Sequence, residues 1–85
     1  MIYGLYSIKD AKTGFMSPLL EQNDAAALRN FSSAVNSRDS VHIFCQYPND
    51  FAFYKIAEFD TDTGIVPLPA PVLIVDASEV LRREK

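Results

Sequence analysis

The segment Asp-x-x-Thr-Gly occurs twice, as Asp10-Ala11-Lys12-Thr13-Gly14 and Asp60-Thr61-Asp62-Thr63-Gly64, each time beside residues of alternating polarity. An aspartate can accept a hydrogen bond from the backbone two residues on, and a glycine tolerates the positive φ that closes a tight turn. Each segment therefore reads as a hairpin turn, and two hairpins commit much of the chain to an antiparallel sheet. Turns under the same backbone demands converge readily, so the echo needs no duplication.

The flanks agree. Ile2, Gly4, Tyr6 and Ile8 share one side of a first strand, with Tyr3, Leu5 and Ser7 on the other. Residues 15–20 form the returning strand. Pro18 within it donates no ladder hydrogen bond and marks an edge or a bulge. Residues 51–59 form another strand, with Phe51, Phe53, Ala57, Phe59 and Lys55 assigned to one face, and Tyr54, Ile56 and Glu58 to the other. Residues 65–68 return after the second turn. Pro67, Pro69 and Pro71 then make a stiff extended connection to a buried strand over 72–75. Residues 41–46 read as a further short strand, and Asp76 or Ser78 can start a short helical turn through Leu81.

Between the hairpins lies the clearest helix. Asn23 or Asp24 caps it, Ala25-Ala26-Ala27-Leu28-Arg29 favours helix, and Leu28, Phe31 and Val35 recur at helical spacing. It should end near Asn36-Ser37. The expected fold is α+β: one domain over residues 1–85, with an antiparallel sheet of four to six strands built on two hairpins and one main helix packed on one face. The expected core is Leu5, Leu28, Phe31, Val35, Phe53, Phe59, Leu73 and Val75.

Size and charge narrow the function. A chain of 85 residues with one cysteine has no internal disulfide and buries a limited core, for which ten aromatic side chains compensate. Self-association would protect the sheet edges, and a homo-oligomer is expected. No apolar run reaches membrane-spanning length, and the start Met1-Ile2-Tyr3-Gly4-Leu5-Tyr6 lacks the basic-then-apolar plan of a signal peptide, so a soluble cytoplasmic protein is expected. The net charge is −3, and no lysine or arginine occurs between Glu58 and Glu79. A strong generic phosphate binder has the opposite sign, so any nucleic-acid contact needs a local basic face.

Enzymatic chemistry finds little support. His42 and Cys45 are the single histidine and cysteine; three residues apart in a strand, they point to opposite faces and suit no nucleophile–base pair. Two such ligands fall short of a structural zinc site. Counted from Asp60 as a calcium loop, the sixth and twelfth positions are Ile65 and Pro71, where glycine and glutamate are needed. Three scattered glycines make no phosphate loop. No cofactor is expected.

Binding remains. Aromatic rings on a sheet can stack single-stranded bases while basic side chains hold the backbone. Tyr54, with Tyr3 or Tyr6 as alternatives, lies in sequence among Lys9, Lys12 and Lys55. Arg38 follows the helix, and Arg82 and Arg83 add a positive tail. Lys9, Lys12, Arg38, Tyr54, Lys55, Arg82 and Arg83 are thus the candidate DNA-binding residues. Rings needed in a small core and charges that merely solvate the surface are the competing reading.

The order of motifs carries more. Ile8-Lys9-Asp10, Pro18, Asn23-Asp24-Ala25, Ala27-Leu28-Arg29-x-Phe31, Val35-Asn36, Tyr47-Pro48-x-Asp50-Phe51, Tyr54, Glu58-Phe59-Asp60 and Thr63-Gly64 follow one another through residues 8–64. In this the chain resembles the small nonstructural protein of gokushovirus-type microviruses, phages with single-stranded DNA. Ile56-Ala57 stands where that pattern has Leu-Gly, and the tail from Pro67 matches only in kind. The resemblance implies a protein absent from the virion and working in the host cytoplasm. It further implies a role in single-stranded genome synthesis or in the switch to packaging, beside phage or host replication and packaging proteins. It brings no catalytic motif. The alternative function is an adaptor that binds phage or host protein without nucleic acid.

Overall fold

A computed structural model describes residues 1–37 and 46–81. In it both Asp-x-x-Thr-Gly segments close hairpins in the same way. The Asp10 carboxylate accepts from the Lys12 N–H (2.9 Å), and Asp60 does the same for Asp62 (2.8 Å). Gly14 and Gly64 take positive φ values of 98° and 95°, which only glycine adopts without strain.

The elements run β1 (Ile2–Asp10), β2 (Gly14–Phe15), β3 (Leu19–Glu21), α1 (Asp24–Val35), a 3-10 turn (Pro48–Asp50), β4 (Phe51–Asp60), β5 (Gly64–Asp76) and α2 (Ala77–Val80). All strand pairs are antiparallel, in a five-stranded sheet with β1 and β4 at its centre. β5 lies beyond β4. On the far side of β1, β2 and β3 share one edge, β2 beside Lys9 and Asp10 and β3 beside Gly4–Tyr6. The break between them falls at Met16–Pro18, as the proline required. The sheet curls into a half-barrel, and the fold is α+β with one main helix.

Helix α1 starts where its cap dictates: Asn23 accepts from the Ala26 N–H at 2.8 Å. It buries Ala27, Phe31 and Val35, residues four apart, against the sheet. Leu28 lies one step round the helix and is 37% exposed, so it is not part of the packed face. At the far end the Asn36 amide donates to Ser32 O and to Val80 O, tying α1 to α2. The core joins these residues to Tyr6, Phe51, Phe53, Ala77 and Leu81, with Ile8, Ile74, Val75 and Val80 packed around them.

Pairing register assigns the two faces, because residues directly opposite in a ladder share a side. Tyr6, Ile8, Phe51, Phe53 and Val75 face the helix; Tyr3, Leu5, Ser7, Lys9, Ala52, Tyr54 and Leu73 face away. A bulge at Ile56 adds one residue to β4 between Lys55, opposite Tyr6, and Ala57, opposite Leu5. Side chains beyond it swap sides. Ala57 and Phe59 therefore leave the face of Phe53, against the simple alternation expected for residues 51–59, and Glu58 replaces them there. This corrects the expected core: Leu5 and Phe59 are half-buried on the open face, and Leu73 is 49% exposed on it.

The second correction concerns the prolines. Residues 64–76 form one extended strand at the edge of the sheet, where separate strands over 65–68 and 72–75 were expected, but its ladder to β4 is interrupted between Pro67, opposite Ala57, and Val72, opposite Lys55. Pro69 and Pro71 lie in that interruption, where no ladder partner on β4 calls for the N–H they lack. The strand expected over 41–46 falls, up to residue 45, outside the described residues, as do His42 and Cys45.

Candidate nucleic-acid interface

β1 carries Ser7 and Lys9 on the open face, and their ladder partners decide what surrounds them. Phe15 on β2 lies opposite Lys9, and Tyr54 on β4 lies opposite Ser7. Serine is small enough for the two flanking rings to meet above it. They do so edge to face, with centroids 5.7 Å apart and planes at 82°. The Lys9 ammonium stands 5.4 Å from the Phe15 centroid, a cation–π arrangement. Ser7 is fully buried beneath, and its hydroxyl donates to Met16 O at 2.6 Å, which fixes the chain immediately after Phe15. Phe15 stays 43% exposed.

Lys12 extends from the adjoining turn and is exposed. Beside this cluster opens a cleft of about 360 Å³ whose lining includes Lys9, Asn49, Asp50, Tyr54 and Asp76. Two carboxylates thus border the cations. The arrangement offers two aromatic surfaces, two cations and amide groups, and acids that repel phosphate on one flank.

The other candidates are placed differently. Lys55 follows Tyr54 in sequence but faces the helix side, 3.4 Å from Glu58 and 4.0 Å from Asp24, so its charge is already matched. Tyr6 is buried in the core and takes no part in a stacking surface. Its hydroxyl donates to Asp24 at 2.5 Å, and burial first, then that hydrogen bond, push the phenol above its ordinary pKa. Tyr3 is on the open face at the opposite end, its hydroxyl donating to the Met1 sulfur at 3.3 Å. Arg38, Arg82 and Arg83 lie outside the described residues. Phe15 was missed by sequence reasoning; the pairing of a two-residue strand with Lys9 brings it in, and the hairpin turn was its only signal.

A second cleft, of about 410 Å³, opens at the start of α1 between Gly4, Tyr6, Asn23, Asp24, Lys55 and Glu58. Gly4 is required there: a β-carbon would run into the Tyr6 ring. Among the described residues no group of three or more histidine, cysteine, aspartate or glutamate side chains is placed to hold a metal ion. No helix among them is long and apolar enough to cross a membrane.

Comparison with known proteins adds an independent line. Residues 3–80 match the family model described as Phage ORF5 protein. The chain is 34% identical over 79 residues to Protein ORF5 of Chlamydia phage 1, an alignment covering 91% of this chain and 82% of that protein. No solved structure matches it.

Proposed function

The chain belongs to the Phage ORF5 protein family, and from that premise we propose a non-enzymatic accessory protein that holds single-stranded DNA weakly during phage genome synthesis or the switch to packaging. The family matches bear out the resemblance to the small gokushovirus-type phage protein. The observation that carries the DNA reading is the Lys9–Phe15–Tyr54 cluster on the open face, with Lys12 beside it. Aromatic faces stack any base, and two cations neutralise only two or so phosphates, so contact is weak and indifferent to sequence. The net charge of −3 keeps it local.

Fluorescence anisotropy of a labelled single-stranded oligonucleotide tests the reading. With Lys9 and Lys12 neutralising about two phosphates, raising salt from about 50 to about 200 mM should weaken binding about sevenfold. Replacing both lysines by serine should flatten that slope. Absence of binding at either salt rejects the DNA reading and leaves the protein adaptor, for which the exposed apolar side chains of β5 are the supporting observation.

A further inference from the structure

Below the Lys9 end, the open face carries three successive cross-strand rows without a charged side chain. Tyr3, Phe59 and Ile65 form the outermost row; Leu20, Leu5, Ala57 and Pro67 the next; Ser7, Tyr54 and Leu73 the third. Charge reappears only in the fourth row, with Lys9 and Asp76. No helix among the described elements packs on these rows, since the core cluster containing α1 lies wholly across the sheet. Ile65 is 62% exposed, and Leu20 and Leu73 are each about half exposed. With Phe15 and the half-buried Tyr3, Leu5 and Phe59, they present on the order of 500 Å² of apolar surface, against ~800 Å² per partner in a standard interface.

We propose that this charge-free face is the contact by which two copies of the chain form a two-fold dimer. A two-fold contact sets a surface against itself, so any charge near its axis meets a like charge. Two copies of a chain with net charge −3 repel one another over most approaches. These rows are where that repulsion is absent. The sheet edges are poorly suited to the task. The β2/β3 edge is broken at Met16–Pro18, and Pro67, Pro69 and Pro71 remove N–H donors along β5, so strand addition finds no continuous ladder. The proposal does not depend on DNA binding, but the contact covers Phe15 and Tyr54, so the dimer and a DNA-bound chain are alternative states of the open face.

Sedimentation equilibrium of the full chain, without DNA, decides the matter. The wild type should give twice 9.5 kDa. Ile65→Lys and Leu73→Lys, each exposed enough to fold with an unchanged circular-dichroism spectrum, should each weaken self-association more than about a hundredfold by placing like charges across the axis. Val66→Lys and Val72→Lys, on the same strand but the helix-side face, should leave the dimer intact. A wild type that stays monomeric at about 500 μM, a dimer that survives both open-face variants, or a dimer lost with Val66→Lys overturns the proposal.

Discussion

On the helix-covered face the rings of Phe31 and Phe53 stack with centroids 4.5 Å apart and planes at 6°, and Tyr6 continues the column at 5.5 Å and 12°. Across the same sheet, Phe15 and Tyr54 meet at 82°, with Phe15 43% exposed to solvent. The first group is enclosed by α1 and closes its one polar atom internally, Tyr6 to Asp24. The second has a lysine in place of a helix. The difference separates two uses of aromatic residues in a small domain: packing where another layer covers the ring, and a surface for contact where none does.

The largest effect expected from breaking this contrast is Phe31→Ala. Removing a ring 3% exposed should cost about 3–5 kcal/mol in chemical denaturation. A cost below about 1 kcal/mol would show that the column is not the core.

Tyr6→Phe comes next, at about 1–2 kcal/mol, because the Asp24 carboxylate loses its donor. This variant also has a pH signature. The folded-state pKa of Tyr6 is raised above its ordinary value of 10.0, so the unfolded chain ionises first as pH rises. Its contribution is fully present below pH 10 and falls above it. Denaturation at successive alkaline pH values should show the wild type losing stability faster than Tyr6→Phe. Parallel curves would remove the hydrogen bond from the account.

Phe15→Ala should barely alter stability, by less than about 1 kcal/mol, since much of the ring is already in water. Its expected effect is on oligonucleotide affinity, a loss of about five- to a hundredfold for one stacking contact. Equal stability losses for Phe15→Ala and Phe31→Ala would abolish the contrast between the faces.

Much of this was legible in the sequence because it is local. The turns needed only Asp and Gly, the helix start only Asn23, and the break at Pro18 only a missing N–H. What escaped was set by the sheet as a whole. The bulge at Ile56 leaves no mark in the residue pattern, yet it moves Phe59 out of the expected core. Three prolines suggested a linker; the chain instead stays extended through them as one strand, with Pro69 and Pro71 in the break of its ladder to β4. Leu28 lost its place to Ala27, which is fully buried in the core cluster. For the candidate site, Lys9, Lys12 and Tyr54 were legible as basic and aromatic residues. Phe15 was not, because its place depends on a ladder partner and not on sequence distance.

The central pairing of β1 with β4 has a consequence in time. Ile2 pairs with Asp60 and Asp10 with Phe51, so β1 finds its longest ladder only after some forty further residues have been added. At ~5–20 residues per second that interval is a few seconds, during which β1 can form only its short pairings with β2 and β3. Closing so wide a loop before its contacts are rewarded places the sheet among slowly forming, high-contact-order topologies. The open and covered faces are thus created together, and only once β4 has been made.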